Sequence, residues 1–315
     1  MKLDFVRGHM GGNIIILLHG GQFTPGRELE QAVKILGSNY LAGHEAGLLY
    51  PPTNGANLAV KIAEPTSNCY ISACGGLTQV LGKALLETSL GRDYGIPLQE
   101  PLTEILLETG AGLVKIAVDT AAGRALRVVT NLQAFAGESY AKGVGAMELQ
   151  GIPVVRAGKF LAVNGDLVKQ KYPRADFRGW DAETRSLLAG LQEEFMRRTG
   201  ESEYNYVLYD WRPEFSGDLR VVYPHCIPQD FFEPSCGTGS VAAGIALLAS
   251  GELCRQKEFT RGSISLKLEA GGGIELGGPD ITELKMTVED GKLIDVSFSH
   301  SLVEITAVGE VWLEQ

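Results

Sequence analysis

Two of the five cysteines in this 315-residue chain sit where a thiol can do chemistry. Cys74 lies in Ser72-Ala73-Cys74-Gly75-Gly76, and Cys236 in Pro234-Ser235-Cys236-Gly237-Thr238-Gly239. Each opens an apolar run at helical spacing: Leu77, Val80, Leu81, Ala84 and Leu85 after the first, Val241, Ile245 and Leu248 after the second. The spacing predicts a helix starting directly after each cysteine. A helix N-terminus carries unpaired N–H groups and the positive end of the backbone dipole. A thiolate is favoured there, and the thiol pKa is expected to fall below its usual value of about 8.5. The glycines that follow would leave the N–H groups open to an anionic ligand.

The two motifs stand half a chain apart, which reads as an internal repeat: two β-rich units, each around one central helix with a cysteine at its N-terminus. If the two helix ends face each other, a carboxylate held by both would place its α-carbon between two sulfurs. One thiolate would remove the α-proton while the opposite thiol donates to the other face. The N–H groups would steady the enolate-like charge. Stereo-inversion needs two bases on opposite faces, and two similar halves supply them. Thiols so placed should also oxidise to a disulfide that reductant reverses.

The elements that must position these residues are mostly strands. Leu106–Gly110, Gly112–Val118 and Ala125–Val129 alternate on either side of polar turns and predict hairpins. Ser263–Leu268 alternates and runs into Gly271-Gly272-Gly273, after which Ile274-Glu275-Leu276 resumes. Leu284–Val288 and Leu293–Val296 flank an Asp290-Gly291 turn, and Val303–Val308 gives a closing strand. Two further helices are predicted, an amphipathic peripheral one over about 181–198 and one over 28–36.

Composition bounds the rest. Hydrophobic content of 44% with 21% charged residues is that of a globular chain with a sizeable core. The formal net charge of −10 argues against a nucleic acid or an anionic membrane as partner. The apolar run Ile14–Leu18 falls far short of the roughly 20 residues a membrane helix needs. No secretory leader is read, and an odd cysteine count suits a reducing compartment, so a cytoplasmic location is expected.

Cys69, Cys226 and Cys254 read as packing residues. A zinc site from Cys69, Cys74, His225, Cys226 and Cys236 lacks C-x2-C spacing. Gly237-Thr238-Gly239-Ser240-Val241-Ala242 matches a dinucleotide fingerprint, but Pro234 stands where a parallel strand should end, and strands and helices do not alternate regularly.

Several segments resemble a known family. Phe5–Asn13 is similar to the N-terminus of diaminopimelate epimerase, Glu108–Val114 to a segment of proline racemases, and Ser235–Gly239 to the second cysteine motif of both. Ala270-Gly271-Gly272 followed by Ile274 resembles the epimerase's C-terminal region. The chain thus resembles the cofactor-independent amino-acid racemase superfamily over nearly its whole length.

That resemblance implies an α+β fold of two pseudo-symmetric halves, each a curved, mainly antiparallel sheet around a central helix. The halves would be 1–143 plus 300–315, carrying Cys74, and 144–299, carrying Cys236. It implies a racemase or epimerase that inverts the α-carbon of an amino acid with no metal or organic cofactor. Cys74 and Cys236 would alternate as base and acid. Gly75, Gly76, Gly237 and Thr238 would hold the carboxylate, and Asn13 takes the place of the epimerase's substrate-site Asn. A homodimer is compatible with it.

The departures concern the substrate. The first motif continues Gly75-Gly76-Leu77 where the epimerase has Gly-Asn-Gly and proline racemases have Gly-His. The epimerase's Glu-Arg pair would fall near Pro224-His225, and the racemase's Asp at Phe232, with Asp230 and Glu233 beside it. Lys159-Phe160 fall where the family has substrate contacts. Neither diaminopimelate nor proline is the expected substrate. Two other classes stay open: a cysteine-independent proton-shift isomerase of an unsaturated acid, and a protein that binds a small carboxylate without reacting.

Overall fold

The computed structural model describes residues 1–175, 182–201, 205–225, 231–270 and 280–314. The elements run β1 Lys2–Met10, β2 Asn13–His19, α1 Glu28–Leu36, β3 Glu45–Tyr50, β4 Leu58–Glu64, β5 Cys69–Ile71, α2 Gly75–Glu87, α3 Leu90–Asp93, β6 Leu102–Thr109, β7 Gly112–Ala121 and β8 Arg124–Asn131. They continue α4 Gln133–Lys142, β9 Val144–Leu149, β10 Ile152–Ala157, β11 Phe160–Asn164, α5 Gly165–Lys171, α6 Ala182–Thr199, β12 Asn205–Asp210, β13 Leu219–His225 and β14 Phe231–Glu233. The last are α7 Gly237–Ala249, α8 Glu252–Lys257, β15 Gly262–Ala270, β16 Asp280–Glu289, β17 Lys292–His300 and β18 Val303–Trp312. By its internal contacts the chain forms two units, 1–134 with 298–315 and 135–297. The division falls inside α4 and inside β17, near the 143/144 and 299/300 that the family resemblance implies.

In the first unit β1 pairs antiparallel with β2 and β18, and β2 runs parallel to β3. β3 pairs antiparallel with β4, which is antiparallel to β5 and parallel to β6; β6, β7 and β8 then form a meander. The second unit repeats this pattern. β10 is antiparallel to β11, β11 parallel to β12, and β12 antiparallel to β13. β13 is antiparallel to β14 and parallel to β15, which pairs antiparallel with β16. A side-chain staple repeats as well. Glu108 on β6, opposite Ala59, accepts from the backbone N–H of Thr53 at 2.9 Å. Glu269 on β15, opposite Arg220, accepts from the N–H groups of Glu214, Phe215 and Gly217 at 2.6–2.8 Å. The fold is α+β and mainly antiparallel, and the pairing pattern of β1–β7 recurs in β10–β16.

Each unit wraps its sheet around one helix. α2 packs against β1, β2, β7, β8 and β18, and α7 against β9, β10, β11, β12 and β16. Leu77, Val80, Leu81, Ala84 and Leu85 are fully buried, as are Val241 and Ile245; Leu248, expected beside them, is half-buried, and Leu247 is fully buried instead. Burying each such leucine, isoleucine or valine stabilises the fold by about 1.5–3 kcal/mol. The run Ile14–Leu18 is a strand covered on both faces: Ile15 and Leu17 join the cluster around α2, Ile16 and Leu18 the one around α1. That is why it is continuously apolar rather than alternating.

Close approach to α2 requires a helical glycine at 82. A Cβ there would lie 2.6 Å from Val128 Cγ1, and 3.2–3.3 Å from methyls of Ile116 and Val118. All three neighbours are β-branched and stiff at χ1, so they yield poorly. Alanine gains about 1 kcal/mol of helix propensity, but overpacking costs about 1–3 kcal/mol. Gly82→Ala is expected to lower stability by about 1 kcal/mol net in urea denaturation. A gain in stability would mean that the helix and sheet can move apart.

The expected helices are found at Glu28–Leu36 and Ala182–Thr199 and directly after each cysteine. α3, α4, α5 and α8 were not expected, because pieces of four to ten residues carry no two-turn apolar stripe. Among the described residues no helix is long and apolar enough to cross a membrane.

Candidate active site

The two cysteines hold matching positions, each in its own unit. Cys74 follows β5 and caps α2 with extended backbone (φ −142, ψ 118), its Sγ accepting from the Leu77 N–H at 3.3 Å. Cys236 follows β14 and caps α7 in the same way (φ −136, ψ 114), its Sγ accepting from the Gly239 N–H at 3.3 Å. Their exposures are 8% and 7%, so both are nearly enclosed. A cysteine is a poor helix cap beside serine or aspartate. Its use at both ends, with the sulfur on the N–H three residues on, argues for the thiol itself.

In the first unit the expected residues come together. Asn13, fully buried at the start of β2, lies against Gly76, where a Cβ would come within 3.2 Å of its amide nitrogen. Gly75 and Gly76 are buried in the first turn of α2. Asn13 Oδ1 and the Ile14 N–H both lie 3.2 Å from His44 Nδ1, which donates to the first in one tautomer and accepts from the second in the other. Nothing in the sequence points to His44, which reaches Asn13 only because β3 runs parallel beside β2. The first turn of α2 is held by Thr78, whose hydroxyl donates to the Gly75 carbonyl at 2.8 Å and meets Thr130 Oγ1 at 2.9 Å. Gln79 donates to the same Thr130 hydroxyl at 2.8 Å and accepts from the His300 N–H at 3.2 Å.

In the second unit Gly237 is buried, and Thr238 places its Oγ1 3.4 Å from the Cys236 sulfur. Ser240 donates to the Cys236 carbonyl at 2.7 Å and meets the Tyr223 hydroxyl at 2.7 Å. Thr78 and Ser240 each stand four residues after their cysteine, a hydroxyl repeated in both motifs that could have been read from the sequence.

Cys236 corrects one expectation. Its thiol is pushed well above the ordinary value, first by burial and then by the Glu233 carboxylate; the Thr238 and Gly239 hydrogen bonds pull the other way without prevailing. The magnitudes explain why. A helix end is worth about 0.3–1 kcal/mol to an anion, whereas burying an unpaired charge costs several.

The packing reading of Cys254 is also overturned, since this residue is exposed; Cys69 is half-buried. Cys254 is therefore expected to react with iodoacetamide at neutral pH at least about tenfold faster than Cys236, read by peptide mass spectrometry. Equal rates would mean that Cys236 is neither enclosed nor held neutral. Cys226, Asp230, the glycines 271–273 and the strand at 274–276 lie outside the described residues, as does the side chain of His225. Lys159 and Phe160 lie at the turn into β11. β14, ahead of the Gly237–Ala242 run, pairs antiparallel with β13, not as a dinucleotide fold requires. Among the described residues no three His, Cys, Asp or Glu side chains are grouped to hold a metal.

No family model matches the sequence, and no curated protein matches it. Solved structures do. A hydroxyproline epimerase from Agrobacterium vitis, with bound trans-4-hydroxy-L-proline, is 19% identical with a TM-score of 0.64, over 98% of this chain and 91% of that one. A PhzF-family phenazine biosynthesis protein from Bacillus anthracis is 14% identical with a TM-score of 0.64, over 99% and 100%. A methylitaconate-delta-isomerase is 15% identical with a TM-score of 0.64, over 99% and 95%. The chain therefore has the fold these proteins share, the proline racemase/diaminopimelate epimerase-like fold that the sequence resemblance implied.

Proposed function

We propose that the protein is an isomerase that inverts the α-carbon of an amino acid, with Cys74 and Cys236 as the two proton carriers and no metal or organic cofactor. One observation carries the reading: both central helices are capped by a cysteine whose sulfur takes the N–H three residues on, at 3.3 Å in each unit. Packing alone would not require the same thiol geometry twice. A two-base inversion needs one thiol protonated and the other not. The neutral state favoured at Cys236 suits the donor for one enantiomer, with Cys74 as base; the roles exchange for the other.

Gly75, Gly76, Gly237 and Thr238 offer the carboxylate contacts, and Asn13, held beside Gly76, joins them. The likeness to a hydroxyproline epimerase supports an amino-acid substrate. The likeness to a methylitaconate isomerase supports an unsaturated acid instead, but that chemistry gives no reason to keep two thiols at the helix ends. A cytoplasmic setting, where thiols stay reduced, belongs to the same reading.

The test is α-proton exchange in D2O, followed by NMR over a panel of L- and D-amino acids with reductant present. Deuterium entering one substrate, and lost in both Cys74→Ala and Cys236→Ala, would support the reading and name the substrate. Exchange that survives in both variants would sink it.

A further inference from the structure

The setting of Cys236 depends on a side chain far outside its motif. Ser240 spends its one hydroxyl proton on the Cys236 carbonyl at 2.7 Å. In the 2.7 Å contact between Ser240 and Tyr223 the tyrosine must therefore be the donor. The ring of Tyr223, only 1% exposed, packs against Gly239: a Cβ at 239 would fall 2.6 Å from its Cδ1 and 2.7 Å from its Cε1. Gly239 is the residue whose N–H reaches the Cys236 sulfur. One side chain thus touches the first turn of α7 twice, by its hydroxyl through Ser240 and by its ring at Gly239.

A buried phenol hydroxyl costs stability unless it is bonded, and phenylalanine would fill the same space without that cost. The repeat shows that the fold does not demand a tyrosine here. Tyr223 is the fifth residue of β13, and the fifth residue of β4, its counterpart, is Ile62. The first unit fixes its helix turn with Thr78, Thr130 and Gln79 instead. The tyrosine is thus particular to the second cysteine.

We propose that Tyr223 is a positioning residue for Cys236, holding the Gly239 N–H on the thiol sulfur through Ser240 and through the packing of its ring on Gly239. This deepens the two-thiol reading, since it assigns how one of the two proton carriers is kept in place.

The test follows carbamidomethylation of Cys236 over pH 7–9.5 by peptide mass spectrometry, with Cys74 in the same molecules as reference. Without a well-placed N–H the thiolate loses stabilisation. In Tyr223→Phe and in Ser240→Ala the Cys236 rate should fall by about fivefold across that range, with the Cys74 rate unmoved. Adding Tyr223→Phe to Ser240→Ala should change nothing further, because the two hydroxyls act as one chain. A Cys236 curve that overlays the wild type, rises, or moves together with that of Cys74 overturns the assignment. The measurement needs no substrate. The expected displacement in a protein that exchanges no α-proton would sink the racemase reading and leave the role of Tyr223 standing.

Discussion

Serine in place of Cys74 or Cys236 is expected to lower α-proton exchange by about 10²–10⁴-fold while leaving the folded protein intact. The argument separates the cap from the chemistry. A serine oxygen accepts the Leu77 or Gly239 N–H better than a sulfur does, and serine is the better helix cap, so stability should hold or rise slightly. A hydroxyl is a far weaker acid than a thiol and cannot take an α-proton at neutral pH without a partner base. Loss of exchange with unchanged thermal unfolding would therefore fall on the proton carrier itself. Exchange within tenfold of the wild type in either serine variant would make that cysteine a structural cap and remove it from the reaction. The two rival classes separate in the same variants. A carboxylate-binding protein keeps its ligand affinity, and a cysteine-independent isomerase of an unsaturated acid keeps its turnover.

Much of this was legible because the decisive features are local. Helix starts after Cys74 and Cys236 follow from apolar spacing within two turns, and the β6–β8 meander from alternation broken by Gly123. What sequence could not supply came from pairing at long range. His44 meets Asn13 through two parallel strands, and parallel partners leave no turn signal between them. Tyr223 meets Ser240 only because β13 passes beside the start of α7. The state of the Cys236 thiol is not legible in the sequence for a related reason. The helix end can be read from the motif, but the enclosure that outweighs it is a property of the packed unit. The peripheral position expected for α6 also hid a structural role: Leu187, Leu188, Leu191 and Phe195 cover Leu161, Val163, Tyr206 and Leu208 on the strands of the second unit.

The largest effect on stability should come from a residue with no part in the proposed reaction. Glu252, 7% exposed at the start of α8, accepts from the Tyr209 hydroxyl at 2.7 Å, the Trp211 indole N–H at 2.8 Å and the Asn164 amide at 3.2 Å. One carboxylate thus ties α8 to β11, to β12 and to the residue that follows β12. Burial and this carboxylate together push the Tyr209 hydroxyl far above its ordinary pKa, so it stays a donor at any pH the protein meets. Glu252→Ala removes the acceptor that three donors share, the Tyr209 hydroxyl buried and the Trp211 and Asn164 groups partly so. Each stranded buried donor costs about 1–3 kcal/mol, and water entering the space left by the side chain recovers part of that. A loss of about 3–4 kcal/mol is expected in guanidinium denaturation followed by circular dichroism. Glu252→Gln keeps the shape and one acceptor oxygen, and should cost about 1–2 kcal/mol. The ordering of the two variants is the sharper part of the prediction. Were glutamine as damaging as alanine, the negative charge rather than the hydrogen-bond geometry would be what holds α8 in place. Were alanine to cost less than about 1 kcal/mol, the second unit would not depend on this carboxylate at all.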